Sequence, residues 1–374
     1  MRFSFFVLAI LAGSIAFAQK NIYLLVGTYT SGKSEGIYVY SFDTSNAASA
    51  RLGVAKIKNP SYLAISPDSK TVYAVSETSD STAAGIGGVV AAYHFDNTNG
   101  NLSVLTKQYS GGKDPCYVAV DHTGKWIFAG NYSSGTLAVF PIKAGGGIAA
   151  ASQTIAHTGT GPNKNRQEGP HVHATVISPD NKYLFVPNLG IDKLMMYQFN
   201  QNSGKLTTAK QPFAATEPGA GPRHFDFAPN KKFAYLMEEL TGTVVAYRYK
   251  NGELKKQQRI SALADNFTGS IGSADIHVSP DGRFLYCSNR GSSNSITIFS
   301  INQQTGALTK LGEQPSLGTS PRNFNFDPSG NFLLVANQQS DNIVIFSINH
   351  QTGLLTDTGK RIAVGNPVCV KWIY

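Results

Sequence analysis

One phrase recurs seven times along this chain. It consists of a short strand, a tight turn built on Pro-Asp or Gly, a second apolar strand, and a polar stop that is usually Asn. The copies run PSYLAISPDSKTVYAVSE from Pro60, PCYVAVDHTGKWIFAGNY from Pro115, HATVISPDNKYLFVPNLG from His173, PRHFDFAPNKKFAYLMEEL from Pro222, ADIHVSPDGRFLYCSNRG from Ala274 and PRNFNFDPSGNFLLVANQ from Pro321. The seventh, PVCVKWIY from Pro367, ends after its first strand. A small antiparallel sheet cannot bury both of its faces alone. A repeat made of such units therefore stacks them face to face, and the expected fold is an all-β propeller.

Each unit continues past the phrase. A third strand follows (EGIYVYSFD, TGTVVAYRY, DNIVIFSIN), then a Gly-x-Leu turn such as Gly252-Glu253-Leu254, then a more polar fourth strand. Lys and Gln in that strand (LKKQQ) suit an exposed edge. The segment before Pro60, IYLLVGTYTSGKSEGIYVYSFD, supplies strands two and three but no strand one, whereas PVCVKWIY is a strand one without a successor. Joined, they complete a seventh blade and close the ring. Residues 19–374 are expected to form one seven-bladed domain.

Residues 1–18 stand apart. Arg2 is their only charge, Phe3 to Ala16 is apolar apart from two serines and a glycine, and Ala16-Phe17-Ala18 forms an A-x-A cleavage pattern before Gln19. This reads as a secretory signal peptide, with a periplasmic or extracellular product and no membrane span. The formal charge is +9, but the basic residues are scattered and form no dense Lys/Arg block, so nucleic acid is not an expected partner. A small anionic molecule is. The three cysteines, Cys116, Cys287 and Cys369, sit in apolar strands and read as free core thiols. The oligomeric state is left open.

Differences between the copies mark possible sites. The polar stop of strand two is Ser76, Asn131, Asn188, Glu238, Asn289 or Asn337, where Asn reads as a structural residue closing a turn. The next residue varies more: Glu77, Tyr132, Leu189, Glu239, Arg290 and Gln338. Loops on one face of a propeller converge near the axis, so Glu239 and Arg290 are site candidates. The start of strand one also varies, with Ser61, Cys116, His173, Arg223, Ala274, Arg322 and Val368. His171, His173, His224 and His277 fall in three consecutive copies, which concentrates the expected chemistry on one side of the axis. Plainer readings exist: packed core histidines, and a salt bridge between Arg223 and Glu239. Two motifs are decoys. Gly32-Lys33-Ser34-Glu35-Gly36 matches GxSxG but lies between two strands, where a nucleophile elbow needs a helix. His171-Val172-His173 would need further ligands to hold zinc.

These exceptions resemble a known family, the seven-bladed propeller lactonases, which include bacterial propeller-type 6-phosphogluconolactonase and a fungal carboxy-muconate cyclase. The likeness runs from about Ile22 to the C terminus. It rests on Arg166-Gln167-Glu168-Gly169-Pro170-His171-Val172-His173, Gly221-Pro222-Arg223-His224-Phe225, Glu238-Glu239-Leu240, Ser288-Asn289-Arg290-Gly291 and Ala336-Asn337-Gln338. The resemblance implies that His171 or His173, Arg223, Glu239 and Arg290 are catalytic. Substrate contacts are assigned to His277, Arg322, Arg166, Gln167 and Asn131. The family usually has Asn where this chain has Glu238. Adjacent strand residues point to opposite faces, so Glu238 either lies outside the site or raises the pKa of Glu239.

Lactone hydrolysis needs a proton acceptor for water and a cation for the developing oxyanion. Glu239, His171 or His173 is the expected base, and Arg223 and Arg290 the expected oxyanion holders, with no metal or organic cofactor. Export favours a non-phosphorylated sugar lactone over a cytosolic phosphorylated one. The alternatives are a non-catalytic binding propeller and a lactone-forming muconate-type cyclase.

Overall fold

The computed structural model describes residues 22–82 and 85–374; the segment read as a signal peptide lies outside them. Seven four-stranded antiparallel sheets follow one another around an axis. We number these blades 1 to 7. In blade 5 the strands, from the axis outward, are Pro222–Phe227, Phe233–Glu238, Thr243–Lys250 and Glu253–Ser261. Blade 1 is built from both chain ends: Pro367–Ile373 lies innermost and pairs with Tyr23–Thr28, followed by Gly36–Asp43 and Ala48–Lys56. The ring therefore closes as the half-phrases at the two ends require. A two-residue hairpin, Ser81–Thr82 with Gly85–Ile86, lies outside the blades.

The repeated turn has a specific cause. In blade 4, Ser178 donates to Asp180 Oδ1 at 2.5 Å and its hydroxyl accepts the Tyr183 N–H at 2.9 Å, which closes the hairpin. Blade 6 repeats this with Ser279, Asp281 and Phe284. Asp121 and Asp327 replace the serine in blades 3 and 7, each accepting the amide that starts strand two. The residue three after this cap is left-handed in every copy (Ser69, Gly124, Asn181, Lys231, Gly282, Gly330). That requirement explains why Gly and Asn recur there.

Strand two is sealed, with TVYAVS and FLYCSN buried at every position, and strand three is buried through its centre, as in Thr243–Lys250. The outermost strands are largely exposed, as in Glu253–Ser261, where only Leu254 is buried. Blade-to-blade packing is close at the Gly-x-Leu turns. Gly306 is left-handed (φ 76°), and a Cβ there would collide with the buried ring of Phe233 in the preceding blade. The strand-two asparagines stitch neighbouring blades together. Asn131 donates to Ser110 O at 2.9 Å and Asn289 to Ala262 O at 2.9 Å, each carbonyl lying just past the outer strand of the blade before. Asn131 is fully buried in this role, which corrects its assignment to substrate.

Blade 4 departs from the expected strand. From His173 onward, regular inner pairing covers only Val176–Ile177, preceded by an isolated bridge between Val172 and Asn188. The GxSxG segment lies in the loop between Tyr23–Thr28 and Gly36–Asp43, as read from sequence.

Candidate active site

Two rings of side chains meet at one end of the axis. The first is the residue after strand two of each blade: Tyr29, Glu77, Tyr132, Leu189, Glu239, Arg290 and Gln338. The second is the residue near the start of each inner strand, including Cys116, His173, Arg223 and Arg322. Of these, Glu77, Tyr132, Glu239, Arg290, Cys116, His173 and Arg322, with the loop residue Arg166, line a cavity of about 410 Å³. A larger hollow of about 530 Å³ lies at the rim between blades 1 and 2, lined by Phe42, Leu52 and Thr98, and gathers no comparable set of charges. The axial cavity draws on blades 2 to 7, which is broader than the expected one-sided site.

Glu239 is the centre of one wall. It is buried and faces three guanidiniums: Arg166 Nη2 at 2.6 Å, Arg223 Nε at 2.9 Å and Arg290 Nη2 at 3.2 Å. Burial works to raise this carboxyl, but Arg290, Arg223 and Arg166 outweigh it and hold the pKa at about 2. A base of that strength takes almost no proton near neutrality. The expectation of Glu239 as general base is thereby at odds with its surroundings, which suit an anchor that aims three arginines. Arg223 is 1% exposed and also donates to Ala274 O at 2.7 Å, so it supports the wall from behind. Burial lowers Arg290 to about 9, and Glu239 only partly offsets this.

Glu238 points the other way. Its carboxylate meets Arg259 Nε at 2.8 Å and the Thr243 hydroxyl, away from the cavity. It occupies the stitching position that Asn holds in most other blades.

Arg166 comes from the long segment between blades 3 and 4. Gln167 anchors that segment by donating to Leu189 O at 2.9 Å and Asp192 Oδ1 at 2.7 Å. It is fully buried outside the cavity, so it positions Arg166 instead of touching substrate. His171 stacks on Tyr132 (centroids 4.3 Å) with its ring nitrogens turned to Tyr132 O and Glu168, and the cavity wall beside it is formed by Tyr132. His173 does line the cavity. Burial, then Arg223, His224 and Arg322, push its pKa well below the usual histidine range, so its imidazole is neutral.

His277 lies three residues further along its inner strand than Ala274. It faces Asp275 Oδ2 at 3.1 Å, while His224 Nδ1 meets Asp275 Oδ1 at 2.6 Å and Asn323 donates to Oδ2 at 2.5 Å. This cluster lies deeper along the axis, which removes His277 from the cavity wall. Burial opposes the charge on Asp275, but His277 and His224 keep it ionised. Among the described residues, no three His, Cys, Asp or Glu side chains are arranged to hold a metal ion.

The sequence reading passed over Glu77 and Tyr132, which line the cavity, and Tyr29, which bonds to Glu77. Glu77 and Tyr132 stand in the same copy-to-copy alignment as Glu239 and Arg290. Tyr29 is the matching residue of blade 1, hidden because that copy lacks its first strand in sequence. Cys116, read as a core thiol, also reaches the cavity. Burial and then Glu77 push its thiol far up, so it supplies no thiolate nucleophile. Arg166, Arg223, Arg290 and Arg322 together outnumber Glu239 and Glu77, so the cavity is cationic and suits an anionic ligand.

Comparison with known proteins agrees with this architecture. Residues 23–372 match the model of a family described as lactonase, 7-bladed beta-propeller. The chain is 40% identical over 353 residues to a 6-phosphogluconolactonase of Bacillus subtilis, covering 93% of this chain and 97% of that one. It is 39% identical to a 6-phosphogluconolactonase of Formosa agariphila, over 85% of this chain and 90% of the relative. The solved structure of a periplasmic gluconolactonase from Pseudomonas aeruginosa superposes with a TM-score of 0.88 at 37% identity, covering 94% of this chain and 99% of that one.

Proposed function

This chain belongs to the seven-bladed β-propeller lactonase family, and from that membership we propose that it hydrolyses the ring ester of a sugar-acid lactone in the axial cavity. The observation that carries the reading is the set of arginines gathered at the axis and aimed by one buried carboxylate. Arg290 and Arg166, held by Glu239, face the cavity with Arg322 across from them. Attack of water on the ester carbonyl puts negative charge on its oxygen, and guanidiniums fixed at that position stabilise the charge. The same arginines hold the carboxylate of the ring-opened acid. His173, neutral and in the wall, serves as a hydrogen-bonding partner for the sugar hydroxyls.

The N-terminal 18 residues support export, and with it a non-phosphorylated aldonolactone as the physiological substrate. The names of the Bacillus and Formosa relatives support the phosphorylated lactone, and the Pseudomonas neighbour supports the plain one. Proton release from glucono-lactone and 6-phosphoglucono-lactone, corrected for spontaneous opening, tests both points. Hydrolysis well above the spontaneous rate is expected, with Arg290→Ala slower by about 10²–10³-fold. A higher kcat/KM for the phosphorylated lactone would overturn the substrate preference, and absence of hydrolysis on either would overturn the activity. N-terminal sequencing of protein from the periplasm or medium is expected to begin at Gln19.

A further inference from the structure

The cavity wall holds a second carboxylate, Glu77. It follows strand two of blade 2 as Glu239 follows strand two of blade 5, three blades away around a ring of seven. The two groups have opposite surroundings. Glu239 accepts from three guanidiniums. Both oxygens of Glu77 share one hydroxyl, that of Tyr29, at 2.9 and 3.0 Å. A carboxylate has about four lone-pair positions, so Glu77 keeps room to accept from a water in the cavity.

The Tyr29 hydroxyl has only one proton, and its orientation is decided by a third group. Arg322 Nη2 donates to the Tyr29 oxygen at 3.0 Å, so the phenol proton points to Glu77. Arg322, Tyr29 and Glu77 thus form a line of donors ending on a carboxylate. The backbone of Glu77 is fixed independently: its N–H donates to Asn59 O at 3.0 Å and its carbonyl accepts from Asn59 Nδ2 at 3.1 Å.

We propose that Glu77 is the general base of the lactone-opening reaction, with Tyr29 and Arg322 as its positioning residues; this rests on the lactonase reading above. Water attacks the ester carbonyl carbon and its proton passes to a Glu77 oxygen. The tetrahedral intermediate then expels the ring oxygen, which takes that proton from Glu77 as the C–O bond breaks. One water is consumed, and the product is the ring-opened hydroxy acid, which ionises in solution. Acid–base character agrees with this assignment. Burial raises Glu77, opposed first by Arg322 and then by the Ser61 and Tyr29 hydroxyls, with Asp114 adding to the rise. Glu239 and His173 are pushed the other way. Two carboxylates whose surroundings drive them apart divide the roles of base and electrostatic anchor. Cys116, the remaining titratable neighbour, stays protonated.

The test uses Glu77→Gln and Tyr29→Phe in the full-length protein, with lactone hydrolysis by proton release and aldonate binding by calorimetry. Glu77→Gln is expected to lower kcat by about 10²–10⁴-fold while aldonate affinity stays within about threefold. Tyr29→Phe removes a bond that stabilises the ionised carboxylate, so the acid limb of kcat/KM is expected to move to higher pH. Wild-type hydrolysis together with full activity in Glu77→Gln would overturn the assignment while leaving the lactonase reading intact. So would a Glu77→Gln protein that loses activity and aldonate binding together while Tyr29→Phe keeps an unshifted acid limb. If Glu77→Gln does not fold, the Tyr29→Phe profile decides alone. A wild-type protein that opens no lactone overturns both readings.

Discussion

Three guanidiniums on one buried carboxylate set the behaviour of Glu239, and the consequence is measurable as stability. The folded pKa is about 2 against an ordinary 4.5, so the group is depressed. A depressed carboxyl stabilises the fold fully above its unfolded pKa and loses that contribution as pH falls toward its folded one. The window is about pH 4.5 down to about pH 2, and the contribution is on the order of 3 kcal/mol. Urea unfolding across that range is expected to show a steep loss in the wild type and a flatter curve in Glu239→Gln. The mutant is also expected to be less stable near neutrality by about 3–5 kcal/mol, because the buried Arg223 and the half-buried Arg290 and Arg166 lose their shared counter-ion. Its neighbour behaves differently. Glu238→Asn restores the residue most other blades carry, so lactone-opening activity is expected to stay within about twofold of wild type, with Arg259 keeping its bond to Thr241. Strand alternation put these two glutamates on opposite faces but left two readings of Glu238 open, and its contact with Arg259 decides between them. Alternation did not say which cavity group is basic, because that depends on the partners each carboxylate meets from other blades.

At the scale of single elements, the repeated hairpin was readable because its chemistry is local. A Ser or Asp cap, a Pro, and a left-handed fourth residue lie within a few positions of each other, so the phrase carries its own geometry. The Gly-x-Leu turn was legible as a turn but not as a packing contact. Gly306 sits against Phe233, which is 73 residues earlier and one blade away, and Phe233 is almost fully buried and has no room to move. Gly306→Ala combines that clash with a strained φ. It is expected to destabilise the protein by about 2–3 kcal/mol, read from the urea midpoint, while leaving the far end of the axis and its activity unchanged. The short inner strand of blade 4 was not legible. HATVISPD has the composition of a full strand, yet the chain must first deliver Arg166 and two histidines toward the axis. Only Val176–Ile177 remains regular.

The whole ring depends on its last strand. Pro367–Ile373 is the innermost strand of a blade whose other three strands come from the other end of the chain, and Val368, Cys369 and Val370 are nearly inaccessible. Ending the chain at Asn366 opens blade 1 along its inner edge and exposes the facing core of blades 2 and 7. The loss is expected to exceed the roughly 5–15 kcal/mol that separates a typical folded domain from its unfolded chain. Circular dichroism of the truncated protein should show no cooperative melt, where the full chain shows one. Seven copies of a local phrase, with half-phrases at the two ends, were sufficient to derive the blade count and the closure. The same comparison picked out Glu239, Arg223, Arg290 and His173, because a polar residue at a place where other copies are small is visible without coordinates. What the tertiary structure alone decided is the work each does. Asn131 and Gln167 turned out to brace neighbouring segments, His277 to belong to a deeper cluster, and Glu77 to face the cavity with Tyr29 bonded to it. Those outcomes come from hydrogen bonds between residues tens to hundreds of positions apart, and a repeat encodes where each side chain stands without encoding what stands opposite it.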